Sequence, residues 1–241
     1  LYREQIDAIR NQLEALLDLP DLESFPETGR LPETFFAGFR FAQNAYDRII
    51  DAALAHDGSG ERIHCTKGCS NCCIDLVRGI TVPEIVLIYR YVRPWADARQ
   101  VFEYHCESGN LFLGRLARKL SPEEMRTLAP DDSRIAEAHI EYNRLDRPCG
   151  FLDGDTGSCR IYPVRPLACR YFFSFDPPET CSPGHERYLR RSIRTVPLPP
   201  EVVSLFARIG EKLGVRLVNY LPGAFAQFTA DVMKTRPIEI T

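Results

Sequence analysis

The sequence has no long apolar run. Its longest stretch without a charged residue, residues 217–230, spans 14 positions and includes Pro222 and Gly223, too short to cross a bilayer. It also lacks an excess of either charge. Thirty Lys+Arg stand against 33 Asp+Glu, a net charge of −3, so nothing global points to nucleic acid or an anionic membrane. There is no internal repeat and no low-complexity segment. With 44% hydrophobic and 26% charged residues, disorder, collagen-like repeats and coiled coil are excluded as whole-chain descriptions. No strand-glycine-helix nucleotide word, no Ser-His-Asp word and no His-Glu-x-x-His word is present. Histidine is scarce, at five. The first residue is Leu1 rather than Met, so a cleaved targeting segment stays open. The 241 residues suffice for a hydrophobic core.

Cysteine is not scarce. There are nine, and Cys65, Cys69, Cys72 and Cys73 fall within nine positions. A disulfide framework suits small domains that cannot build a core, and this chain can. The count is odd, and the neighbours Cys72 and Cys73 would strain the peptide between them if bridged. Convergence of thiolates on a metal suits the clustering better, because sulfur is the natural ligand of zinc and of iron–sulfur clusters. Gly68 inside the loop lets several sulfurs face one centre, and tight turns supply backbone N–H groups to spread thiolate charge. Cys149, Cys159, Cys169 and Cys181 follow at spacings of 10, 10 and 12 residues, which only tertiary structure can gather. The spacing allows a four-cysteine cluster plus a second site, two four-thiolate zinc sites, or one polynuclear centre. Cys106 stands apart in a helical stretch and reads as a buried thiol. Its neighbour His105 does not make it a nucleophile pair, since adjacent helical residues point about 100° apart.

Around the cysteines the periodicity is mostly helical. Ile6, Ile9, Leu13, Leu16 and Leu17 form one face of a helix over residues 1–18, stopped by Pro20. Residues 26–32 read as a turn region. A second helix is expected over residues 33–56, ended by residues 57–60. Thr81-Val82-Pro83-Glu84 is a capping box with proline near the helix start. Further helices are expected over residues 95–119 with a break near Ser108-Gly109, from Ser121, over 133–145, over 200–213 and over 222–234. Residues 151–162 read as a small β-hairpin, and residues 164–173 as a short helix. The expected fold is mainly α with a small β-hairpin, its helices set around a loop-rich cysteine metal centre. The expected parts are an N-terminal helical extension (1–60), a cysteine-cluster domain (61–195) and C-terminal helices packed on it (196–241).

Cys65-Thr66-Lys67-Gly68-Cys69-Ser70-Asn71-Cys72-Cys73, Thr81-Val82-Pro83-Glu84-Ile85, Pro148-Cys149-Gly150-Phe151-Leu152, Gly157-Ser158-Cys159-Arg160-Ile161-Tyr162 and Arg165-Pro166-Leu167-Ala168-Cys169-Arg170 occur in that order. In these words the chain resembles the CxxCxxCC, or YkgJ-like, cysteine-cluster family of zinc- or iron-chelating proteins, over roughly residues 62–185. The resemblance implies a metal centre ligated by Cys65, Cys69, Cys72, Cys73, Cys149, Cys159, Cys169 and Cys181, and leaves Cys106 outside. Flagellin lysine methylases look similar in this region, which makes protein modification one implied use. The spacing Cys65-x3-Cys69-x2-Cys72 also resembles that of radical S-adenosylmethionine enzymes, but the alternating β/α pattern of their barrel is missing.

Two arginines flank Cys169. Arg165 and Arg170, with Tyr162, are candidate cofactor-binding residues that offset thiolate charge or hold an anion. The blander role is structural pairing with acids such as Asp153 or Glu84. His64 and His185 are candidates to replace a thiolate or to donate to one. Arg187, Arg190, Arg191 and Arg194 would share one face of a helix. The expectation is an iron–sulfur protein with redox activity or activity on a protein, peptide or small molecule, in the cytoplasm. The alternative is a non-enzymatic module stapled by Zn2+, with flanking helices that bind a partner.

Overall fold

The structure is a computed structural model, and it describes residues 2–55, 63–65, 68–127 and 132–241. It is mainly α-helical. Helix α1 (Tyr2–Leu17) turns Ile6, Ile9, Leu13 and Leu16 inward, as their spacing requires. It lies against α3 (Glu33–Ala55), which buries Phe35, Phe36, Phe39, Tyr46, Ile49 and Ile50. The two approach closely at Gly38, where a Cβ would stand 2.5 Å from Gln12 Nε2 and 2.8 Å from Leu16 Cδ2. The turn expected at residues 57–60 lies outside the described residues. The supposed turn region 26–32 is instead structured: α2 (Phe25–Thr28) and strand β1 (Arg30–Leu31) bury Phe25 and Leu31 in the core. Local signals there were too short for a period, and tertiary burial decided the outcome.

Helix α4 (Val82–Val92) starts at the expected capping box. Both Thr81 N–H and Thr81 Oγ1 donate to Glu84 Oε2, at 2.7 and 2.6 Å. Helix α5 (Ala98–Ala117) runs unbroken past Ser108-Gly109. Gly109 serves packing there, because a Cβ would meet Gly223 Cα at 3.2 Å where α9 (Leu221–Gln227) crosses α5. Helices α6 (Pro122–Thr127), α7 (Ser133–Asn143) and α8 (Pro200–Lys212) complete the set among the described residues. Aromatic rings link the helices. Phe39 meets Phe206 edge-on at 5.7 Å, Tyr89 meets Phe228 at 5.3 Å, and Phe112 meets Tyr220 at 4.7 Å.

Residues 151–162 carry one isolated bridge, Leu152 to Cys159, rather than two strands. Residues 164–173 form no helix. Two 3₁₀ turns, Tyr162–Val164 and Leu167–Cys169, take their place, because Pro166 removes the N–H that a continuous helix needs. Strand β2 (Phe172–Ser174) pairs antiparallel with β3 (Ile193–Thr195), with Phe173 opposite Arg194. A second pair joins β1 to β4 (Glu239–Ile240) in parallel, bringing the chain end back to the N-terminal region. Tyr46 donates its hydroxyl to Val196 O and so ties α3 to the segment after β3. No described helix is long and apolar enough to cross a membrane.

Candidate metal centre

The cysteine lobe is built from short turns, each fixed by a few backbone bonds. His64 N–H donates to Ser174 O at 3.1 Å, and Ser174 N–H returns to Cys65 Sγ at 3.2 Å, so the first cysteine is laid along β2. Thr66 and Lys67 lie outside the described residues. Gly68 takes φ +93°, a conformation that glycine adopts without strain. The 3₁₀ turn Asn71–Ile74 follows, closed by Cys73 N–H on Ser70 O at 2.8 Å and Asp75 N–H on Cys72 O at 3.1 Å. Asn71 Nδ2 donates to Cys69 Sγ at 3.7 Å.

The distant cysteines reach this turn directly. Cys149 N–H donates to Cys73 O at 2.6 Å, closing a gap of 76 positions. From there Leu152 N–H bonds Cys149 O at 2.9 Å, the Leu152–Cys159 bridge brings up Cys159, and Tyr162 N–H bonds Cys159 O at 3.2 Å. Cys169 ends its turn with an N–H on Pro166 O at 3.0 Å. Glu84, fully buried, accepts Leu167 N–H at 2.6 Å and fastens that turn to the start of α4. Cys181 is buried at the end of the 3₁₀ turn Pro178–Cys181, which packs on Asn71–Ile74.

In their electrostatics the sulfurs fall into two sets, and Cys72 acts on both. Cys65 feels the charges of Cys72, Cys181 and Cys69, and Cys181 feels those of Cys72 and Cys69. Cys149, Cys159 and Cys169 feel one another or Cys72. Burial raises the Cys149 thiol to about 12 against the opposing Phe151 N–H, and burial raises Cys159 against Ile161 N–H and the Arg165 guanidinium. Cys169 stands well above the usual thiol range, through burial first and its sulfur neighbours second. Cys72 is raised first by its hydrogen bond with Cys73 and then by burial. Cys106, on α5, feels Glu103 and Glu107 and none of the other cysteines.

This donor set fits a thiolate-ligated metal. All nine cysteines are free thiols. Donor hydrogens already point at the sulfurs of Cys65, Cys69, Cys149 and Cys159. Such bonds spread the charge of a thiolate. The sulfurs are neighbours rather than a closed cage: among the described residues, no three His, Cys, Asp or Glu side chains form a group able to hold one ion.

The flanking residues sort differently from the sequence expectation. Arg170 is buried and satisfied by Asp47, by Arg165 O at 2.9 Å and by Pro163 O at 3.2 Å. Its ion-pair partner is therefore Asp47 on α3, while Glu84 feels its charge without a close pair and Asp153 lies elsewhere. Arg165 stacks on the Tyr162 ring at 4.3 Å, its Nε is buried with no hydrogen-bond partner among the described residues, and it acts electrostatically on Cys159 and Cys169. Asp153 instead holds the turn before Cys159, accepting Thr156 N–H at 2.8 Å. His64 contributes its backbone to β2, and His185 Nδ1 accepts Arg187 N–H at 3.1 Å. The four arginines share no helix face. Tyr188–Arg190 is a 3₁₀ turn and Ile193–Thr195 a strand, with Arg187 paired to Asp176 and Arg191 to Asp75.

Sequence reasoning missed a polar network behind the first turn. Asp75 accepts from Tyr188, from Asn143 Nδ2 at 3.0 Å and from Arg191 Nη2 at 2.9 Å. Asn143 Oδ1 also accepts Leu76 N–H at 2.9 Å. No local pattern marks these residues, because every contact is long-range. A protein-family model for the CxxCxxCC type, described as a candidate zinc- or iron-chelating domain, matches residues 64–185, just over half of the chain. Searches of curated proteins and of solved structures give no match.

Proposed function

Because the chain belongs to the CxxCxxCC family of candidate zinc- or iron-chelating domains, we propose that its eight patterned cysteines hold an iron–sulfur centre serving redox or protein- or peptide-modifying chemistry. The observation that carries this reading is that two sets of cysteines share electrostatic contact with Cys72, with N–H donors aimed at the sulfurs of Cys65, Cys149 and Cys159. In this reading Cys65, Cys69 and Cys181 serve one side, Cys149, Cys159 and Cys169 the other, and Cys72 and Cys73 join them. Eight sulfurs, with Asp75 acting on Cys72 as a neighbouring carboxylate, favour a soft metal. Arg165 offsets thiolate charge, while Arg170 holds the backbone that presents Cys169. Such a centre supplies electron transfer or Lewis acidity when bound. Free thiols throughout suit the reducing cytoplasm.

Zn2+ is the second reading, and a specific observation favours it. The cysteines stand in or beside short 3₁₀ turns and loops, and small loop-rich metal sites of thiolates are commonly held by structural zinc. Anaerobic purification followed by metal and sulfide analysis and a visible spectrum separates the two. Iron with acid-labile sulfide and a coloured protein is the expected result. Colourless protein with stoichiometric zinc sinks the iron–sulfur reading, and metal-free protein after reconstitution with both metals sinks chelation itself.

A further inference from the structure

Among the described residues six buried side-chain nitrogen and oxygen atoms have no hydrogen-bond partner. Two of them are the Nε atoms of Arg165 and Arg191, the arginines whose charges act on Cys159, Cys169 and Cys181. A buried donor left unpaired costs free energy, so an orphan of this kind calls for an acceptor. The two arginines also divide the sulfurs between them. Arg165 acts on Cys159 and Cys169, and Arg191 acts on Cys181, so one guanidinium goes with each set.

Arg191 is set in place by its other nitrogens. Its side chain is 8% exposed, and Nη2 meets Asp75 Oδ2 at 2.9 Å. Nη1 donates to Tyr188 O, and the guanidinium lies 4.0 Å from the Tyr188 ring centroid. Asp75 follows the Asn71–Ile74 turn, and Cys181 ends the turn packed on it. The fork is therefore fastened where two cysteine turns meet. Arg165 stands directly between the Tyr162–Val164 turn and the Pro166 that opens the Leu167–Cys169 turn. Its stack on Tyr162 holds it, and among the described residues its side chain has no hydrogen bond and no ion pair.

Two other arginines mark the contrast. Arg170 also acts on Cys159, but its donors are taken by Asp47, Arg165 O and Pro163 O. Arg115 has a buried, unpartnered Nε as well, but it stands on α5, donates to Leu111 O at 2.7 Å and acts on Tyr142. Four thiolates on one divalent ion leave a surplus of negative charge, and eight sulfurs leave more. A hydrogen bond from a guanidinium to such an anion is charge-assisted and strong. Bonds of this kind to metal-bound sulfur tune affinity and potential.

We propose that Arg165 and Arg191 are a matched pair of charge-compensating positioning residues, one for each set of cysteines, whose buried Nε–H groups serve the anionic sulfur of the metal-bound centre. The inference rests on the metal-centre reading and deepens it, since it holds whichever metal is bound. The test is Zn2+ titration of the full chain in competition with a chromophoric chelator, with thermal unfolding of the metal-free protein beside it. Arg165→Met and Arg191→Met should each weaken Zn2+ binding tenfold or more. Arg165→Lys keeps the charge and should weaken it less than Arg165→Met. Arg115→Met should bind as wild type does. Metal-free Arg165→Met should unfold at the wild-type temperature, because its side chain gives up no hydrogen bond. Asp75→Asn combined with Arg191→Met leaves no unpaired buried charge, and its affinity should stay at the Arg191→Met level. Recovery to wild-type affinity in that double variant would mean that Arg191 serves only Asp75, and would overturn the pairing. If Arg191→Met does not fold, Arg165→Met carries the test. Wild-type affinity in Arg165→Met, or a loss no larger than in Arg115→Met, overturns this inference alone. A wild-type chain that takes up no metal overturns it together with the metal-centre reading.

Discussion

Between α1, α3 and α8 the interior is mostly apolar: Phe35, Phe36, Phe39 and Ile9 are completely buried, with Gln43 of α3 a buried polar exception. Beside the cysteine turns, polar side chains are buried along with apolar ones such as Phe151, Ile161 and Val164. Glu84, Arg170, Ser174 and Thr180 are buried there, and each is hydrogen-bonded. The helical region draws on apolar area, which is non-directional and tolerates small shifts. The cysteine lobe relies on directional bonds whose loss leaves a buried group unpaired. The first region should therefore fail by degrees when trimmed, and the second by losing its ligand or one partner. The lobe's order is also the condition for presenting eight sulfurs from four separate turns.

The sharpest way to break this contrast is at Cys72, which feels or is felt by both cysteine groups. Cys72→Ser should remove most of the bound metal, with far-ultraviolet circular dichroism nearly unchanged because the helices do not depend on it. Cys69→Ser should act in the same direction. Wild-type metal per chain in both variants would show that the sulfurs are merely buried thiols. The reverse experiment is Phe39→Ala. Its ring meets Phe206 edge-on in the core, and the deletion should cost about 3–5 kcal/mol in urea unfolding. Metal per folded chain should not change. A loss of metal at Phe39→Ala equal to that at Cys72→Ser would mean the two regions are one cooperative unit.

The contrast also marks where sequence reading reaches. Helices α1 and α3 follow from the spacing of Ile6, Ile9, Leu13 and of Phe35, Phe39, Tyr46, since a period of 3.6 is written locally. The capping box at Thr81 and Glu84 was legible for the same reason. The second task of Glu84, holding Leu167 N–H, was not, because it depends on a turn 83 positions away. The cysteine words pointed to a centre, but not to Cys73 O as the acceptor that receives Cys149. The burial of His105 was invisible for a different reason. It depends on Gly150 and Phe151 closing over α5, and the sequence showed only a histidine beside an unrelated cysteine.

Acid should separate the regions more gently. Burial lowers both His105 and His139 from 6.5 to about 4. His139 also faces Arg78 and Arg191, which oppose its protonation, while Leu76 O supports it. The unfolded chain then binds more protons than the native one below pH 6.5, so this stability is intact above pH 6.5 and is lost as pH falls toward 4. Each histidine contributes about 1.4 kcal/mol per pH unit in that window. Glu84 works the other way, since burial raises its carboxyl and favours the protonated native form at low pH. Urea midpoints from pH 7 to 4.5 should fall less steeply in His139→Gln than in wild type. Parallel curves would show that His139 is not held neutral by its surroundings.

The smallest expected effect concerns the ninth cysteine, and it tests whether position or mere presence makes a ligand. Cys106 sits half-buried on α5, one residue from His105, and the charges that act on its thiol are those of Glu103 and Glu107. Adjacent helical positions diverge by about 100°, so the thiol and the His105 ring occupy different faces. A half-buried thiol packs as a small hydrophobe, and removing its sulfur costs contact area rather than a bond. Cys106→Ala should therefore lower stability by about 1 kcal/mol or less and leave metal content and the visible spectrum as in wild type. If the metal leaves in this variant while the fold persists, the ligand set extends onto α5, and the division between helical shell and cysteine lobe is drawn in the wrong place.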